Sequence, residues 1–198
     1  SLQTRAHPVL QVLPLALELC WEPVDPQCLL DLLTLPIIPF TRVAASALAR
    51  ALSEEPGLGS GAWQNAFDSL CEKSEQDADN PGKLKERLEE WFCADRSPQG
   101  QPILTALMAR QCRKVAKWAI GRATLIWQDE DLSPSNNQVA IALRELSRQA
   151  TLLGDLVELA GESITQPQLS RLIEEVTDRG VESQLCLRAD GGPVRVRS

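Results

Sequence analysis

The chain has 198 residues, 43% of them hydrophobic and 24% charged, with 20 basic against 27 acidic side chains and a formal net charge of −7. A chain of this length can bury about 70% of the surface its unfolded form exposes, so it needs neither disulfides nor a metal to hold a core, and its apolar content excludes a disordered polymer. Its apolar runs fall far short of the roughly 20 residues that span a bilayer, and the acidic balance, with a sequence pI near 4.9, confines any contact with nucleic acid or anionic lipid to a local patch.

Nearly every apolar segment carries a helical period and is bounded by helix punctuation. Leu10, Leu13, Leu17 and Cys20 share one face of a first helix that opens at Pro8 and should kink at Pro14. Asp25 followed by Pro26 reads as an N-cap with proline in the first turn, leading a short leucine-rich helix that stops at Pro36. Pro36 to Pro39 must be extended, since each proline drives its predecessor out of the α region. Thr41 can cap a third helix, rich in alanine through Glu55. A sharp break at 56–61 precedes a helix through Trp63, Phe67 and Leu70, then an acidic frayed end and loop over 72–81. Leu84, Leu88, Trp91 and Phe92 mark a short amphipathic helix. Long helices are predicted from Ile103 to Trp127 and from Ser135 to Ala160, with Gly161 closing the second. Thr165 and Gln168 have capping-box spacing and open a last helix ending near Gly180. From Gln184 onward the alternating polarity around a glycine turn predicts a hairpin.

The predicted fold is therefore mostly α, an irregular bundle of seven to nine helices over residues 1–182, with a β-hairpin-like strap over 183–198. Position 1 is Ser and no basic segment leads into an apolar one, which reads as a domain cut from a longer polypeptide. The six cysteines include no C-x-x-C pair, so they are expected as buried thiols of a reducing, cytoplasmic compartment. His7 is the single histidine, which leaves no material for a zinc set or a catalytic triad. No enzyme, metal or cofactor site is expected within these residues.

Two features could carry function. The turn Gly57-Leu58-Gly59-Ser60-Gly61 permits close backbone approach and feeds a helix N-terminus, where unpaired N–H groups and the dipole can hold a phosphate; it lacks the Lys-Ser/Thr of a Walker loop and does not follow a strand. The alternative is a turn that needs glycine for geometry alone. The second feature is a basic stripe, Arg110, Arg113, Lys114 and Lys117, at i, i+3, i+4 and i+7 of the first long helix. It lies opposite Leu104, Met108, Cys112, Val115 and Ala119 and could meet nucleic-acid phosphates, or simply be solvated or docked on acidic residues such as 72–79. The five tryptophans fall in phase with apolar neighbours, which favours core anchoring over base stacking.

The order of these signals resembles the middle region of RecB/AddB-like superfamily I helicase–exonuclease proteins, whose chains often end in a PD-(D/E)XK nuclease domain. The matching elements are the Pro8–Leu13 helix, the segment from Pro26 to Pro36, Glu55-Pro56-Gly57-Leu58-Gly59 running into Trp63, and Gln168-Leu169-Ser170-Arg171-Leu172 before the strap. The resemblance implies the helical insertion, termed 2B, that interrupts the second motor domain, with 193–197 returning to the motor sheet. It implies a parent in DNA repair and recombination, either an ATP- and Mg-dependent helicase or an inactivated one, with duplex DNA and the neighbouring motor or nuclease subunits as partners. In related helicases a Gly-hydrophobic-Gly turn approaches the duplex, a role that would carry over to Gly57, Leu58 and Gly59. No ATP-binding or nuclease motif lies in this chain. An interaction scaffold that never touches DNA is the alternative.

Overall fold

The computed structural model describes residues 7–76, 82–128 and 133–189, with side chains to residue 177. A 3₁₀ turn over Pro8–Gln11 leads into α1 (Val12–Glu18). Pro14 falls in the first turn of α1, where its missing N–H leaves no bond unmade, so the expected mid-helix kink becomes a junction between two helix types. The lone histidine is used here: Nδ1 of His7 accepts the Val9 N–H at 3.3 Å and caps the turn.

The next two caps are those predicted. Asp25 accepts the Gln27 N–H at 2.9 Å to open α2 (Pro26–Thr34), and Thr41 accepts that of Ala44 at 3.2 Å to open α3 (Arg42–Glu54); each such cap contributes about 1 kcal/mol. Arg42 reaches back and donates to the carbonyls of Leu35 and Pro36, tying α3 to the end of α2. α4 (Gly61–Glu75) packs on α3, and α5 (Lys83–Phe92) packs on α4. The α4–α5 junction is held by Ser74, whose buried hydroxyl accepts the Leu84 and Lys85 N–H groups at 3.1 and 3.2 Å. A cap ten residues upstream leaves no local signal in sequence.

The two long helices are α6 (Thr105–Gln128) and α7 (Pro134–Leu159), an antiparallel pair that forms the largest interface. Ser133 caps α7 through the Asn136 N–H, with Pro134 in its first turn. The pair is in close contact at Gly154, where an added Cβ would lie 3.3 Å from the Cys112 Cβ. α6 is continuous through Gly121, where glycine spacing alone suggests an interruption. After Gly161, whose φ of +116° closes α7 as anticipated, comes α8 (Gln166–Ala189). Gln168 returns to the Thr165 N–H at 2.9 Å, giving half of the capping box; the Thr165 hydroxyl donates to the same amide oxygen instead of accepting a backbone N–H.

Two short pairings staple distant segments. β1 (Trp21–Glu22) runs parallel to β2 (Ser97–Pro98), and β3 (Ile103–Leu104) antiparallel to β4 (Ser163–Ile164). β3 takes two residues expected in the long helix and leaves Leu104 exposed rather than on the apolar face. The fold is thus mostly α, as predicted. Its C-terminal part requires a correction: α8 passes through Gly180 to Ala189, so Gln184–Arg188, assigned to the first hairpin strand, are helical. One glycine is a modest cost of about 1 kcal/mol in a 24-residue helix, too little to end it. Residues 190–198, including 193–197, lie outside the described residues, as do 77–81 of the acidic loop.

The core is one cluster. Met108, Cys112, Val115 and Ala119 of α6 meet Leu143, Leu146, Ala150 and Leu153 of α7, and the cluster runs on through α1 and α2 to an aromatic group near α5. There Phe40 meets Trp91 edge-on at 5.8 Å and Phe92 at 5.0 Å, while Trp63 meets Phe92 at 5.3 Å. Trp21, Trp63 and Trp91 are buried anchors, whereas Trp118 and Trp127 are only half-buried.

Candidate functional site

The Gly57–Gly61 turn is closed on itself. Gly57 has φ +126°, the left-handed geometry that calls for glycine. The Ser60 hydroxyl accepts the Trp63 N–H at 3.2 Å and donates to the Glu55 carbonyl at 2.9 Å. The Glu55 carboxylate, seven residues back from Ala62, accepts the Ala62 N–H at 3.0 Å. A carboxylate therefore sits where a phosphate would bind, satisfying the donor and the dipole end that a ligand needs. Leu58, expected to face a duplex, packs against the core. Gly59 and Gly61 are exposed but flank this internal cap. These contacts are those of a turn using glycine for geometry.

The basic stripe has a different setting. It lines a groove between α5 and α6 containing two adjoining cavities of about 370 and 500 Å³, which share Glu90, Lys114 and Lys117. Arg110 and Arg113 stand at one end with Glu89 and Asp95, and Arg122 and Leu125 at the other. No residue of the 57–61 turn lines either cavity, so the two predicted features belong to separate places in the fold.

Within the stripe, each cation has its own fate. Arg113 pairs with Glu158 of α7 across an exposed surface. Lys114 is drawn inward: its Nζ donates to the Glu90 carbonyl at 2.8 Å and lies 4.9 Å from the centre of the Trp91 ring. Burial pushes its amine down to about 8, reinforced by Arg110 and Arg96 and opposed by Cys20 and Glu90. Arg110 and Lys117 are exposed and form no ion pair among the described residues. Acids facing the stripe include Glu89, Glu90 and Asp95, with Asp155 and Glu158 on α7.

The groove wall formed by α5 is tied to its surroundings at three places. Ser74 holds its N-terminus, Arg87 donates to the Pro39 carbonyl at 3.2 Å, and Arg96 donates to the carbonyls of Leu19 and Phe92 beyond its C-terminus. The Trp91 ring meets Trp118 of α6 edge-on at 6.1 Å and forms the groove floor. Sequence reasoning found the cations but missed Trp91, Glu90 and Trp118 as their setting, because helix–helix pairing is invisible to a single-helix pattern.

Cysteine chemistry is muted. Cys20 and Cys112 are buried, which pushes their thiols up to about 11 and about 12, and the half-buried Cys28 to about 12. Cys71 is buried as well, but Cys93 is exposed, against the expectation of burial, because it lies just past the end of α5 at the groove mouth. The side chain of Cys186 lies outside the described residues. Among the described residues no group of three or more His, Cys, Asp or Glu could hold a metal, and no helix is long and apolar enough to cross a membrane.

Comparison with family models, curated proteins and solved structures finds no significant match to this chain.

Proposed function

We propose that the chain is a non-catalytic helical domain of a helicase-like DNA repair protein, and that it acts by bridging motor and nuclease domains along the α5–α6 groove. The resemblance in chain order supports the parent class. The observation that carries the bridging role is the mixed charge of the groove. Arg110 and Lys117 face outward beside Glu89, Glu90 and Asp95, a pattern suited to a protein surface with both signs of charge and ill-suited to a polyanion. The net charge of −7 points the same way.

A second reading, direct duplex contact, is favoured by one fact: Arg110, Lys117 and Arg122 are exposed and make no ion pair among the described residues. The Gly57–Gly61 turn adds little to it, since Glu55 occupies the helix N-terminus. A duplex titration at about 50 mM salt separates the two. Bridging expects no saturable binding, together with amine cross-links from Lys117 to other domains in the full-length polypeptide. Duplex binding that weakens steeply with salt and disappears in Arg110→Glu/Lys117→Glu would replace bridging with the DNA-contact reading.

A further inference from the structure

Lys114 occupies an unusual place among the groove cations. It lines both cavities of the α5–α6 groove. An ammonium has three donors, and Lys114 gives one to the Glu90 carbonyl while the Trp91 face covers another side. Arg110 and Lys117, four residues before and three after, flank it on the same face of α6. Arg113 is turned to Glu158, while Arg110 and Lys117 make no ion pair among the described residues. The charged and titratable groups acting on Lys114 are Cys20 after α1, Glu90 of α5, Arg96 before β2 and Arg110 of α6. No carboxylate holds its ammonium in an ion pair among the described residues.

We infer that Lys114 is an N-acylation site for anionic acyl donors of the acyl phosphate class, with Arg110 and Lys117 seating the donor's phosphate. The Nζ lone pair attacks the carbonyl carbon. The new C–N bond forms as the C–O bond to phosphorus-bound oxygen breaks, its electron pair leaves with the phosphate, and the amine proton departs as hydrogen phosphate. No oxidant or reductant takes part. Burial supplies the nucleophile, since an amine brought down to about 8 has a sizeable neutral fraction at neutral pH, where an ordinary lysine near 10.4 has almost none. The product amide carries no charge in the groove and keeps an N–H for the Glu90 carbonyl.

The test is incubation of the chain with acetyl phosphate at pH 7.5, with the occupancy of each lysine followed by peptide mass spectrometry. Lys114 is expected to be acetylated about tenfold faster than the exposed Lys73. A parallel reaction with the neutral acetyl N-hydroxysuccinimide ester separates donor seating from amine reactivity. In Arg110→Ala/Lys117→Ala, the ratio of the acetyl phosphate rate to the ester rate at Lys114 should fall several-fold. Equal rates at Lys114 and Lys73 with acetyl phosphate, or a ratio unchanged by the double substitution, overturns the inference.

Discussion

The turn at 57–61 and the stripe at 110–117 are both places where the sequence offers positive potential, one from a helix dipole and one from side chains. In the fold they part company. The dipole end is filled by Glu55, a neighbour along the chain that reaches it through one tight turn. The stripe is divided among three helices: α7 takes Arg113, α5 takes Lys114, and Arg110 and Lys117 remain. Capacity for an external anion depends on what the protein's own acids and carbonyls have already taken, and local neighbours take it most completely.

The contrast can be broken most forcefully at the groove floor. Trp91→Ala removes a buried ring that touches Phe40, Trp118 and Lys114, and is expected to lower unfolding free energy by about 3–5 kcal/mol in urea titrations. With the floor gone, Lys114 should react like the exposed Lys117 in amine-labelling assays.

Next in size is Lys114 itself. Its folded pKa lies below its unfolded one, so the unfolded state binds more protons between about pH 8 and 10.5, and this residue's contribution to stability rises with pH across that window. The thiols of the buried Cys20 and Cys112 and the half-buried Cys28 have raised pKa values and act oppositely above about pH 9. The difference between parent and Lys114→Met cancels the Cys28 and Cys112 contributions, and it isolates the lysine below about pH 9, where Cys20, which Lys114 itself influences, stays protonated. The variant should be more stable at pH 7 by about 2 kcal/mol, the ammonium's burial penalty less the lost bond to Glu90, and the gap should close by pH 10. A gap that is constant with pH would show that Lys114 is not held in a desolvated setting.

Glu55→Ala sharpens the other half of the comparison. Loss of the cap to Ala62 should cost about 1 kcal/mol, and phosphate, expected to leave the parent's Tm unchanged, should raise that of the variant. Smallest of all is Arg113→Ala. Its ion pair with Glu158 is exposed on both sides, so the thermal midpoint should not measurably move.

Legibility in the sequence followed the range of the interaction. Asp25, Thr41 and Gly161 act within four residues of themselves, and their roles could be read directly. The cationic face of α6 was visible from helical spacing alone. Glu55 lies seven residues from Ala62 across a loop, Ser74 ten from Leu84, and Trp21 pairs with Ser97 far along the chain; none leaves a periodic trace. Gly180 misled for a different reason. A glycine ends a helix only where the chain turns away, and here Gln166–Ala189 continues as one helix. The groove stayed hidden because it arises from two helices that are each ordinary alone.

Ser74 has one more implication. Its hydroxyl and carbonyl bind the start of α5 from the end of α4, with Gly82 N–H donating to the Ser74 carbonyl at 2.9 Å and Lys85 bridging to Glu75 at 2.7 Å. The two helices are clasped by contacts that do not pass through residues 77–81. The junction is held by residues 74–75 and 82–85 themselves, so cutting the chain, lengthening it or inserting a reporter between them should leave the start of α5 seated and the groove along it intact.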